Sequence, residues 1–296
     1  MKVRIGVGVA GGPTEDVASF AHLVDDLDEL GFDSIWLPEV LTAPTLDPLT
    51  GLAYAAAHNH HLKLGTTMLL PGRNLVRMAK QLASRDVLSA GRLLVTVVPG
   101  LARQPEQGAV GVVGAQRGAL MDEMFPVLRS LWAGESVSHD GPAGTFKDVS
   151  ISPLPLQQPL EIWTGGMVPA ALKRCGRLAD GWLPSSCTPE ELVEGRQVIN
   201  EAAAEAGRSI SPEHFGVSLA YSKQPLDDRT IKAIAATRKG VDPEKIVPVG
   251  IDGLRAMLEG FLDVGFSKFV VRPMGSPASW RAELEALAEG VLDLQT

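Results

Sequence analysis

Short apolar runs alternate with amphipathic stretches along nearly all of the 296 residues, and no other feature restricts the fold so tightly. An apolar run of four to eight residues between turn formers reads as a buried strand, and apolar residues recurring every third or fourth position read as a helix packed on it. A chain that repeats the two lays its strands parallel, because each helix carries it back to the end where the last strand began. The strands are expected at 3–10, 34–38, 62–70, 93–98, 160–164, 181–184, 215–220 and 268–271. The helices are expected from Thr14, with Glu15 and Asp16 in the first turn, and then at 47–59, 74–90, 117–132, 169–179, 189–206, 227–239, 252–264 and 279–294. Eight strands closed by a final helix are the count of a (β/α)8 TIM barrel, and the chain exceeds the ~250 residues typical of one. The surplus falls in two loose excursions. The expected fold is therefore α/β, a single barrel domain over 1–296 with insertions after strand 4 and after strand 7, since no Pro/Ser-rich linker divides the chain.

Composition narrows the function. A hydrophobic fraction of 45% supports a sizeable core. With 27 Lys and Arg against 35 Asp and Glu, the net charge is −8 and no basic block is long enough to track a phosphate backbone, so nucleic acid is not an expected partner. MKVRIGVGVAGG lacks the length and cleavage spacing of a secretory signal, and no run of ~18 apolar residues suits a membrane span. A cytoplasmic protein is expected. Cys175 and Cys187 stand outside any CxxC spacing and read as buried free thiols.

In such a barrel the active site lies at the C-terminal strand ends, and phosphates commonly bind at the later βα loops. There the stretch EIWTGGMVPAALKRCGRLADGW, Glu161 to Trp182, sets Gly165 and Gly166 between a strand and a helix. Bare backbone at a helix N-terminus offers unpaired N–H groups and a favourable dipole to an anion; tight turn chemistry is the alternative reading. A competing signal, GVGVAG at Gly6 to Gly11, matches a dinucleotide fingerprint. It fails physically, because Pro13 and Thr14 delay the helix beyond the motif and Glu15 and Asp16 would face the pyrophosphate. His58 to His61, HNHH, has no carboxylate at ligand spacing and follows the second helix, away from the catalytic rim, so no metal is expected. Ser185 and Ser186 have no nucleophile-elbow context, and Trp36, Trp163 and Trp182 read as barrel core or helix packing.

The runs FDSIWLPE, LKLGTTMLLP, LASRDVLSAGRLLVTVVPG and IWTGGMVPAALKRCGRLADGW together resemble the bacterial luciferase-like superfamily of flavin and deazaflavin oxidoreductases. The GG turn followed by Arg177 to Trp182 is most similar to the actinobacterial branch that uses coenzyme F420. The resemblance implies a hydride transfer between F420 and a small organic substrate in a homodimeric enzyme. FMN with O2, as in a luciferase-like monooxygenase, and a non-catalytic flavin-binding protein are the alternatives. It also implies that Thr164, Gly165, Gly166 and Met167 cradle the cofactor phosphate, that Pro99 and Gly100 border the cofactor, and that Thr67 and Met68 flank a cis peptide behind its ring.

By the same resemblance Glu39, ending the second strand, is the candidate acid/base. A desolvated carboxylate beside a flat apolar ring has its pKa raised toward neutrality, whereas a pairing with a rim Lys or Arg would make it structural. Arg272, ending the eighth strand, is the candidate cation for an anionic substrate, with a structural ion pair as its alternative. Arg73, Arg77 and Arg103 are further rim cations for the cofactor tail. Two positions depart from the sugar-phosphate dehydrogenases of that branch: Val40 stands where they carry His, and Leu101 where they carry Glu. The substrate pocket is expected from 100–114 and from the loop before Leu160, where patterning is weakest.

Overall fold

The structure, a computed structural model, describes residues 1–9, 16–101 and 104–296. Strands β1 (Arg4–Gly8), β2 (Ser34–Pro38), β3 (Lys63–Leu69) and β4 (Leu93–Val98) come first. A hairpin of β5 (Val137–Gly141) and β6 (Gly144–Val149) follows, then β7 (Ile162–Thr164), β8 (Gly181–Trp182), β9 (Gly216–Tyr221) and β10 (Lys268–Pro273). Without the antiparallel hairpin, eight parallel strands run in the order β8-β7-β4-β3-β2-β1-β10-β9. Bridges from Trp182 to Phe215 and from Ser185 to Ser218 join the two ends, so the sheet closes into the expected barrel.

Around it lie α1 (Val17–Glu29), α2 (Pro48–His58), α3 (Leu75–Leu88), the short α4 (Glu106–Ala109), α5 (Gly114–Trp132), α6 (Pro169–Leu178), α7 (Pro189–Glu205), α8 (Asp228–Thr237), α9 (Gly250–Asp263) and α10 (Trp280–Val291). Local chemistry starts most of them. Asp47, Asn74, Asp227 and Ser279 each accept from a backbone N–H three residues on, and Thr188 with Glu191 forms a capping box. Helix α1 is capped by Asp16, which therefore precedes the helix rather than lying in its first turn; Thr14 and Glu15 lie outside the described residues.

Two cores hold the barrel. Outward side chains such as Ile5, Ile35, Leu64, Val95, Ile162, Val217 and Val271 meet the helices. Inside, Trp36 and Trp163 fill the lumen with Leu94, Leu183 and Val270. Two indoles fit because neighbouring strands carry glycine at the facing positions: a Cβ on Gly65 would overlap the Trp36 ring, and one on Gly181 the Trp163 ring. Trp182 instead faces outward, fully buried against Gly195 of α7.

One expectation needs correcting. The hairpin and the loop before Leu160 follow α5, so they return to the N-terminal ends of the strands and not to the rim. Gln157 shows this directly, donating through Nε2 to the carbonyl of Leu93 at the start of β4 (2.9 Å) and to buried Asp86 (2.6 Å). An αβ loop lies at the barrel end opposite every βα loop, so of the two loose excursions it is the part between β4 and α5 and the β9–α9 part that lie on the rim side.

Candidate active site

At the C-terminal rim, Glu39 leaves β2 with its side chain only 5% exposed. Its Oε2 accepts the Leu69 N–H (2.7 Å), its Oε1 pairs with the Arg73 guanidinium, and Arg73 Nε donates to the Leu69 carbonyl (2.9 Å). Burial raises the Glu39 pKa above the ordinary glutamate value, outweighing the lowering by Arg73 and by the Leu69 N–H. The pairing is the one the sequence left open as the structural alternative. A carboxylate with both oxygens occupied locks the ends of β2 and β3 together.

The Thr67–Met68 region is simpler than the resemblance implied. Cis peptide bonds among the described residues precede Pro105, Pro153 and Pro159 only, so the Thr67–Met68 bond is trans. Thr67 pairs in register with inward-facing Thr96 and gives its carbonyl to the Glu39 N–H (2.8 Å), while the Met68 side chain is fully buried in the outer core.

The β7–α6 turn has the form of an anion cradle. Helix α6 starts on Pro169 with no side-chain cap; Pro169 has no N–H and Ala171 N–H turns back to the Val168 carbonyl (2.8 Å), so of the first turn Ala170 N–H has no acceptor among the described residues. Gly166 takes φ +100°, a conformation that favours glycine, and a Cβ there would crowd Ala171. A Cβ on Gly165 would stand 3.2 Å from the Leu183 carbonyl and from Val98. The Gly166 carbonyl is pinned by Trp182 Nε1 (3.1 Å), which gives that tryptophan a part in the site that the sequence did not reveal. Met167 packs against the outer core. Thr164, in register with outward-facing Val97, buries its hydroxyl behind the sheet, so it contributes backbone alone to the turn.

Arg272 packs beside Gly8 at the top of the lumen. Burial lowers its pKa from the ordinary arginine value, yet a guanidinium remains charged, and among the described residues it has no ion-pair or hydrogen-bond partner. The structural ion pair weighed from sequence is thus absent among those residues. Arg77 is exposed on α3, Arg103 lies outside the described residues, and Ser185 is exposed at the rim beside β9.

Two further residues organise the rim. Arg117, 2% exposed, donates to the carbonyls of Pro99, Leu101, Gln107 and Val112, folding the segment after β4 around one guanidinium while Gly100 takes φ +87°. Glu106, 3% exposed, accepts from Leu41 N (2.9 Å), Thr42 N (3.1 Å) and Thr42 Oγ1 (2.9 Å). Burial pushes its pKa up, but those donors outweigh it and the net shift is downward. Neither residue stands in a motif, since each works through loop backbone that no periodicity marks. The histidines of HNHH serve the opposite end: His58 meets Asp25 and His61 meets Asp28, both at 2.9 Å, tying α2 to α1. No group of three or more His, Cys, Asp or Glu residues suited to a metal occurs among the described residues. Cys175 and Cys187 are free and buried, each thiol pushed up to about 12 by burial. No helix among the described residues is long and apolar enough to cross a membrane.

The family model for luciferase-like monooxygenase matches residues 1–288. The chain is 28% identical over 234 residues to an F420-dependent glucose-6-phosphate dehydrogenase of Microbacterium testaceum, covering 75% of this chain and 68% of that one. It is 29% identical over 206 residues to limonene 1,2-monooxygenase of Rhodococcus erythropolis, covering 67% of this chain and 53% of that one. In fold it matches the coenzyme F420-dependent tetrahydromethanopterin reductase of Methanopyrus kandleri over the whole of both chains, with a TM-score of 0.78 at 19% identity. An F420-dependent secondary alcohol dehydrogenase matches over the whole of both chains with a TM-score of 0.81 at 17% identity. Matched along almost its entire length, this closed barrel belongs to the luciferase-like monooxygenase family and is an enzyme of the oxidoreductase class.

Proposed function

We propose that the enzyme binds coenzyme F420 and moves a hydride between it and a small organic substrate. The observation that carries this reading is the α6 N-terminus without a side-chain cap behind Gly165 and Gly166, on the same rim as Arg272, which has no partner among the described residues. Among relatives, the F420-dependent dehydrogenase of M. testaceum supports the choice of cofactor.

When bound, the deazaflavin supplies the carbon that accepts or donates hydride. The chain's own contribution is position and charge. The N–H groups of the β7–α6 turn hold the cofactor phosphate, and the helix dipole adds to their attraction. Pro99, Gly100 and Thr67 would border the ring, and Gly100 takes φ +87° because Leu69 and Arg117 stand where a Cβ would go. Arg272 holds an anionic group of the substrate in the lumen mouth, where low polarity strengthens the contact. Glu39, its pKa raised by burial, takes or returns the substrate proton, with Arg73 fixing its orientation.

A second reading, reduced FMN reacting with O2, draws support from limonene 1,2-monooxygenase among the relatives. Titration of the protein with F420 and with FMN, followed by cofactor fluorescence, separates the two. F420 is expected to bind at about micromolar concentration and FMN at least about tenfold more weakly. Equal affinity, or a preference for FMN, assigns the enzyme to the monooxygenase reaction.

A further inference from the structure

The two ends of the barrel lumen differ in chemistry. Arg4, Asp33, Lys63, Glu161 and Lys268 line its N-terminal end. At the C-terminal end the inward positions carry Pro38, Thr67, Val98, Ser185, Ala220 and Arg272, so a single charge stands among apolar side chains and hydroxyls. Val98 reaches the cradle, since a Cβ on Gly165 would stand 3.2 Å from it, and Arg272 pairs in register with Ala220. Above this layer the rim loops expose Leu41 (48%), Leu101 (45%) and Met274 (38%). The two leucines are held in place: Glu106 accepts the Leu41 N–H at 2.9 Å, and Arg117 donates to the Leu101 carbonyl at 3.1 Å. Their backbones are fixed while their side chains leave apolar surface in water.

Apolar surface fixed at the rim of a site gains from a ligand that covers it. We infer that the substrate is a monocarboxylate with a hydrocarbon body, its carboxylate on Arg272 and its body against Leu41 and Leu101. This rests on the proposed function, since it names the class of molecule that takes or gives the hydride. A guanidinium matches a carboxylate through two parallel hydrogen bonds, and Arg272 has no partner among the described residues. One cation in that layer balances one negative charge, whereas a phosphate dianion would leave a second charge out of water without a counterion. A sugar would bring a hydroxyl on nearly every carbon, and the layer's side chains offer only the Thr67 and Ser185 hydroxyls in place of water. The reacting group on the body is a carbonyl or the matching alcohol: the carbonyl gains hydride at carbon and a proton at oxygen, and the alcohol loses both. The carboxylate is unchanged and serves as the grip.

Octanoate, which lacks the reacting group, is titrated by calorimetry into the full chain with and without F420. Saturable binding with a millimolar or tighter constant is expected, with 1-octanol at least about fivefold weaker and gluconate showing no saturation up to about 20 mM. Arg272→Met should weaken octanoate about tenfold and 1-octanol less than about twofold, the second ligand showing that the site is still folded. Leu41→Asn combined with Leu101→Asn should weaken both ligands about fivefold or more at an unchanged melting temperature, because exposed side chains add little to the fold. Octanoate that fails to saturate in either state overturns the inference. So do gluconate binding as tight as that of octanoate, and octanoate affinity that survives the Arg272 or the double leucine substitution. The cofactor reading is judged separately. F420 that binds where octanoate does not leaves that reading standing and overturns this one. Octanoate that behaves as expected where F420 does not bind supports the ligand class and overturns the cofactor assignment.

Discussion

Glu39 and Glu106 are buried on either side of the same loop, yet their surroundings drive the two carboxyls in opposite directions. Glu106 has three donors from Leu41 and Thr42, so its folded pKa lies below the unfolded value of about 4.3, and its stabilisation is present above that pH and lost as pH falls through the folded value. Glu106→Gln should lower stability by about 1–3 kcal/mol at pH 7, because buried loop N–H groups lose a charged acceptor. Urea unfolding between pH 3 and 7 is expected to show a flatter acid limb for the variant, and an unchanged limb would remove the linkage. Glu39 has the reverse sign, its raised pKa costing stability as pH climbs from about 4.3 through the folded value. Glu39→Gln still accepts from Leu69 and should lose less stability than the wild type over that climb. If Glu39 carries the proton, steady-state turnover falls about 10²-fold or more; unchanged turnover with a lowered unfolding midpoint would make it a strut between β2 and β3. Arg272 offers a third contrast. Replacing it with Met removes a half-buried cation that has no partner among the described residues, so thermal stability by calorimetry should hold or rise while inorganic sulfate or phosphate affinity at the rim falls about tenfold.

The β7–α6 unit is the smallest element with a recognisable task. Its strand spans only three residues, and its helix starts on proline without a side-chain cap, so the turn between them depends on neighbours for rigidity. Trp182 supplies this from the next strand by donating to the Gly166 carbonyl. Trp182→Phe deletes that bond and also withdraws the outer edge of the indole from Gly195, so the stability of the cofactor-free protein is measured beside the affinity. Cofactor affinity is expected to weaken about three- to tenfold, the worth of one hydrogen bond of about 0.5–1.5 kcal/mol. Equilibrium titration of wild type and variant checks it, and an unchanged constant would mean that the turn holds its shape unaided. Substituting Gly166 itself is a poorer test. At φ +100° any side chain strains the backbone, so loss of binding and loss of stability would arrive together.

At the scale of the molecule the barrel depends on where it lacks side chains. Trp36 and Trp163 occupy the lumen because Gly6, Gly65 and Gly181 concede the space. Gly65→Ala therefore forces the Trp36 ring to move within a packed interior, and overpacking of this kind costs about 1–3 kcal/mol or more. Chemical denaturation should show that loss. A variant as stable as the wild type would show the lumen to be loosely filled. The outer layer is more forgiving: α8 buries no side chain at all, so its sequence is constrained by its Asp227 cap more than by packing.

The alternation of apolar runs and amphipathic stretches determined the barrel, because burial of a strand on both faces and of a helix on one writes periods of different length into local sequence. The same locality made the Gly165–Gly166 turn legible, a motif within a few residues. What remained illegible is contact between residues far apart in the chain. Glu39 pairs with Arg73, 34 positions on, and Glu106 reaches back 64 and 65 positions to Thr42 and Leu41. Gln157 meets Asp86 and Leu93 at 71 and 64 positions, at an end of the barrel that loose patterning could not assign. Such partners are chosen by the closure of the sheet, which brings distant strand ends to one rim or the other. Side-chain direction follows the same logic: Met68 and Thr164 stand in the right segments, but the two-residue pleat turns them outward, and only the closed barrel defines which face is the lumen.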